Sequence, residues 1–176
     1  MTALRIIGVG SPSGDDRAGW EVIDRLKPRI PVEWSIELIA LDRPGSGLVE
    51  WLANVPECWL VDAIQVEGVP GRCLQPGLDE LLQADVATAG SHGFGLSESL
   101  NLAATLGLLP QRLELHCVTI READIFGQQL STAVNAGVNG LVSRFHERLV
   151  KQFDHTATFK GGVGSLGSSS GSSVRS

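Results

Sequence analysis

The sequence predicts an α/β fold: a three-layer sandwich with a twisted, mostly parallel five-stranded sheet and helices on both faces. Three observations carry this. Short apolar runs alternate with segments of helical period along the chain, the pattern of repeated βα units. The runs at 4–8 and 58–63 are apolar at most positions, and the first reads as a strand buried on both sides. Each of these runs breaks into glycine-rich or acidic turns.

Taken in order, 4–8 reads as a first strand and 16–26 as a first helix, ended before Pro28 and Pro31. Ile36, Leu38, Ala40 and Leu41 make a second strand, stopped by Asp42-Arg-Pro-Gly-Ser-Gly47. A short helix at 48–53 and a third strand at 58–63 follow. The segment 72–74 is expected as an edge strand and 78–84 as a short helix. The glycine-rich stretch 88–95 has no periodicity, whereas 96–106 puts Leu96, Leu100, Ala103 and Ala104 on one helical face. A fifth strand is expected at 113–120 and a long last helix at 130–153, interrupted in character by Gly137 and Gly140. The composition turns to Gly and Ser near Lys160. The expected organisation is one domain, 1–155, followed by a disordered Gly/Ser-rich tail, 156–176.

With 176 residues the chain is long enough to bury a sizeable core in one domain. Its net charge of −6 argues against nucleic acid or an anionic membrane as partner, because both select basic surfaces. No apolar run is long enough to span a bilayer, and the first residues lack a signal-peptide pattern. Cys58, Cys73 and Cys117 are odd in number and widely spaced, which reads as buried thiols in the cytoplasm. A monomer is expected.

The organising stretch is the first turn. Gly8, Gly10 and Gly14 resemble a dinucleotide-binding loop but miss its spacing by one residue, with Ser13 in the third position. Asp15 and Asp16 would also occupy the positive end of the following helix and repel a phosphate. Acids stand at three strand ends: Asp15/Asp16, Asp42 and Asp62. In parallel βα units these ends share one edge of the sheet, where ligands bind. Like charges packed there call for a shared proton or a cation. His92, beside Ser91 in the glycine-rich loop, supplies a further donor, and two carboxylates with an imidazole suit a borderline divalent ion such as nickel or zinc. Simple N-capping or turn formation is the competing role for each acid. His116, His146 and His155 read as structural or solvated, and Trp20, Trp34, Trp51 and Trp59 as packing residues. Ser91 lacks the Gly-x-Ser-x-Gly elbow of a serine nucleophile.

Four motifs in order resemble the hydrogenase maturation proteases: Gly8-Val-Gly-Ser-Pro-Ser-Gly-Asp-Asp-Arg-Ala-Gly19, Asp42-Arg-Pro-Gly-Ser-Gly47, Val61-Asp-Ala-Ile-Gln-Val-Glu-Gly-Val-Pro-Gly71 and Ser91-His-Gly-Phe-Gly-Leu96. The resemblance spans residues 4–153. It implies an α/β sandwich and an endopeptidase of the aspartyl type. Such an enzyme removes the C-terminal extension of a nickel-iron hydrogenase large-subunit precursor after nickel insertion. It implies that nickel arrives with that precursor and is contacted by Asp16, Asp62 and His92, which are also the implied catalytic residues. Ser11 stands where the family has Asn, Ser46 where it has Thr, and the first loop is one residue shorter, so Asp15 stays open as the alternative to Asp16. The metal could polarise the scissile carbonyl or activate water, or one carboxylate could act as general base. Two other classes compete: a nucleotide-binding regulatory domain, and a metal-sensing chaperone that holds the precursor without cutting it.

Overall fold

The computed structural model describes residues 2–83, 93–124 and 126–160. Ten regular elements follow in the order β1 (Leu4–Gly10), α1 (Ala18–Leu26), β2 (Ile36–Asp42), α2 (Leu48–Leu52), β3 (Glu57–Gln65), β4 (Cys73–Leu74), α3 (Leu78–Gln83), α4 (Gly93–Thr105), β5 (Arg112–Ile120) and α5 (Thr132–Lys160). The five strands form one sheet in the order β2-β1-β3-β5-β4. All neighbours are parallel except β4, which runs antiparallel to β5 at the edge. The expected fold class is therefore the one found.

The alternation of side chains along the central strands divides the core in two. On one face Ile6, Trp59, Val61 and Val118 meet Val22, Ile23 and Leu26 of α1 and Val138, Leu141 and Phe145 of α5. Trp59 and Phe145 are tilted ring to ring at 4.8 Å, and His116 lies edge-on to Phe145 at 4.7 Å. His116 is thus a packing residue, with Glu114 3.2 Å from its Nε2. On the other face Ile7, Cys58, Leu60 and Leu115 meet Leu48 and Leu52 of α2 and Leu100 and Ala103 of α4.

Two elements differ from the sequence reading in an informative way. The first helix begins at Ala18, because Gly14–Arg17 forms a 3-10 turn instead of the first α turn. The last helix runs to Lys160, past the end expected at 153, and 161–176 lie outside the described residues. Gly137 does not weaken this helix without return. A Cβ there would strike the Gly71 carbonyl oxygen, and a Cβ at Gly71 would strike the Ala133 carbonyl oxygen. The pair lets the β3–β4 loop lie directly on α5. Gly71 has φ +80°, which suits glycine best, and its N–H donates to the Thr119 carbonyl at 2.7 Å.

Candidate functional site at the β1/β3 switch point

The chain leaves β1 for β2 on one side and returns to β3 on the other, so strand order reverses between β1 and β3. In open α/β sheets ligands bind in the crevice at such a reversal. A cavity of about 300 Å³ lies there. Its floor is Val9 and Gly10 of β1, and Asp16 and Asp62 both line it.

The first turn sends its two acids in different directions. Gly14 adopts φ +47°, and the Asp16 N–H donates to the Ser13 carbonyl at 3.1 Å. Asp15 is fully buried. Its carboxylate accepts the Ser131 N–H at 2.6 Å and the Ser131 hydroxyl at 2.7 Å. Ser131 immediately precedes α5, and its oxygen accepts the Val134 N–H at 3.4 Å, so the pair organises that helix start. Asp16 is the acid that faces the cavity.

Asp62 stands within β3, only 8% exposed. Its Oδ1 accepts the Ala63 N–H at 2.8 Å. Burial pushes the Asp62 carboxyl well above the usual carboxylate range; the Ala63 hydrogen bond pulls it back, and the charge of Asp16 pushes it up again. Cys117 is the register partner of Asp62 on β5. Burial, with the Asp62 charge adding to it, lifts that thiol to about 12, so Cys117 stays neutral.

The glycines of the first turn serve packing. A Cβ at Gly8 would strike the Gly19 carbonyl oxygen, and one at Gly10 the Asp16 carbonyl oxygen. They let α1 and its preceding turn lie against β1.

No protein-family model matches this chain, and no curated protein matches it. Solved structures do. The hydrogenase-maturating endopeptidase HybD from Escherichia coli aligns over 91% of this chain and 94% of its own, with TM-score 0.61 and 20% identity. A second endopeptidase from Escherichia coli gives TM-score 0.69 over 86% and 94% at 19% identity. The [NiFe] hydrogenase maturation protease HybD from Thermococcus kodakarensis gives 0.61 over 84% and 99% at 24% identity. The fold is that of the hydrogenase maturation endopeptidases.

On this maturation-endopeptidase fold the other sequence candidates sort as follows. Asp42, at the end of β2, is turned to solvent and pairs with its neighbour Arg43, Nε to Oδ1 at 2.7 Å. That hydrogen bond holds the Asp42 carboxyl below its ordinary value. Asp42 is not among the cavity residues, whereas Arg43 is. His92 and Ser91 lie outside the described residues. Gly95 and Leu96, three and four positions beyond His92 in sequence, line the cavity. Among the described residues no three His, Cys, Asp or Glu side chains gather closely enough to hold a metal ion, so Asp16 and Asp62 are the donors present. Two carboxylates fit part of a divalent-ion site that still needs donors from elsewhere. Sequence reasoning missed Arg43 and the Asp15–Ser131 pair. The Arg-Pro step after Asp42 was the available signal for the first, and nothing local signals the second. Among the described residues no helix is long and apolar enough to cross a membrane.

Proposed function

We propose that this protein is an endopeptidase that removes the C-terminal extension from the large-subunit precursor of a nickel-iron hydrogenase, after nickel has been inserted. The observation that carries the proposal is the meeting of Asp16 and Asp62 in one cavity at the strand-order reversal, on a fold shared with endopeptidases of that name. Nickel belongs to the substrate in this reading. Asp16, Asp62 and His92 contact it from the enzyme side, and the contact reports that the precursor is loaded.

Chemically, a metal held beside the scissile bond polarises its carbonyl or a water. Alternatively one carboxylate is the general base: Asp62, whose proton affinity burial raises, would in its ionised form take a proton from attacking water and return it to the leaving amine. The apolar walls, Val9, Leu48 and Leu96, would exclude bulk water from the bound segment. The free thiols Cys58, Cys73 and Cys117 fit the expected cytoplasmic setting.

The test is to incubate the purified protein with nickel-loaded precursor and follow precursor mass. Loss of a C-terminal peptide supports the proposal. Binding with no change in mass would favour a non-catalytic chaperone, and saturable dinucleotide binding would favour the nucleotide reading, which the acids Asp15 and Asp16 at the helix start oppose.

A further inference from the structure

Arg43 is the one cationic residue lining the cavity among the described residues, and its side chain is 64% exposed at the rim. Its position is held at a cost. Its φ is +39°, a left-handed conformation that is strained in a non-glycine residue. The Arg43 N–H donates to the Gly10 carbonyl at 3.1 Å, which fixes the β2 end beside the turn carrying Asp16. The guanidinium charge interacts with Asp16 as well as with Asp42.

A cation here is out of place for metal capture alone, since it opposes a divalent ion approaching Asp16. Asp42 offsets part of that charge by taking the Nε–Nη2 edge, at 2.7 and 3.4 Å. The planar fork then directs its Nη1 edge away from Asp42. A guanidinium with one edge pinned, at the mouth of a partly apolar cavity, suits an oxygen that becomes negative there. Gly95 and Leu96, in the first turn of α4, line the same space, so the positive end of a helix adds to the field.

We propose that Arg43 donates a hydrogen bond to the carbonyl oxygen of the peptide bond being cut and stabilises its charge in the transition state. This rests on the endopeptidase reading above. In the step, the oxygen of water bonds to the carbonyl carbon and the carbonyl π pair moves onto the oxygen held by Arg43. The pair returns as the C–N bond breaks. One proton of the water goes to the leaving nitrogen, giving a new carboxyl and a free amine.

The experiment measures kcat and KM for processing of nickel-loaded precursor by wild type, Arg43→Gln and Arg43→Lys, with a thermal melt of each. Arg43→Gln is expected to lose roughly 10²–10³ in kcat with KM within about threefold, as when one oxyanion donor is removed. Arg43→Lys, keeping charge without the fork, is expected to lie between. A folded Arg43→Gln with kcat within about threefold of wild type, or with its loss confined to KM, overturns the role. If Arg43→Gln does not fold, a wild-type kcat in Arg43→Lys overturns it equally. A wild type that leaves the loaded precursor intact strikes instead at the endopeptidase reading, and this role falls with it.

Discussion

Asp15 and Asp16 are neighbours in sequence with separate fates in space. Asp15 anchors Ser131 at the start of α5 through two short hydrogen bonds. Hydrogen bonds to a charged group contribute ~1.5–3 kcal/mol each, so Asp15→Ala should lower unfolding free energy by roughly 3 kcal/mol in urea titration. The folded fraction should still process precursor. Asp16→Asn should do the reverse, keeping stability and losing processing. Asp62 offers a sharper contrast. Its carboxyl is raised in the folded state, so the fold binds its proton more tightly than the unfolded chain does. Stability from this group is present below the ordinary carboxylate range and is lost as pH rises through the folded value. Asp62→Asn carries no such penalty, and its melting temperature should exceed that of wild type near neutral pH. The gap should close as pH approaches 4. The same variant should lose ~10²–10⁴ in processing rate if Asp62 moves protons in the reaction. Equal melting temperatures at neutral pH would contradict the account of a buried, strained carboxylate.

Contact between β1 and α1 depends on glycines at 8 and 19. A Cβ at Gly19 would strike the Val9 carbonyl and press on the Val61 carbonyl at 2.9 Å, both backbone atoms that cannot step aside. Gly19→Ala should therefore cost about 1–3 kcal/mol, by overpacking of a closed interface, measurable by urea denaturation. The element scale also explains what the sequence made legible. Apolar runs at 4–8 and 58–63 announced strands, and those strands are central. Parallel connectivity put Asp15/Asp16, Asp42 and Asp62 at strand ends along one edge; Asp16 and Asp62 do line one cavity, but Asp62 lies inside β3, which runs on to Gln65, and Asp42 does not line it. The Asp15–Ser131 contact could not be seen, because it joins residues 116 apart and has no periodic signature. Asp42 was legible as an acid at a strand end. Its turn towards solvent, where it pairs with the left-handed Arg43, is a tertiary detail that no propensity forecasts. Gly137 looked like a weak point in a helix until its contact with Gly71 was known.

At the scale of the whole molecule, two cores on opposite faces clamp the sheet and leave its strand-end rim for a partner. A net charge of −6 and a rim carrying Asp16 and Asp62 favour a cationic client centre over an anionic one. The cavity, about 300 Å³, admits a short peptide segment but not a folded protein, so a hydrogenase precursor would have to thread its extension in. In the function proposed above, Asp16 and Asp62, with His92, read a nickel ion carried by that precursor. The most direct measurement compares the rate at which this protein shortens nickel-loaded and nickel-free precursor, followed by mass spectrometry. The account predicts shortening of the loaded form only, abolished in Asp16→Asn. Equal shortening of both forms would contradict it.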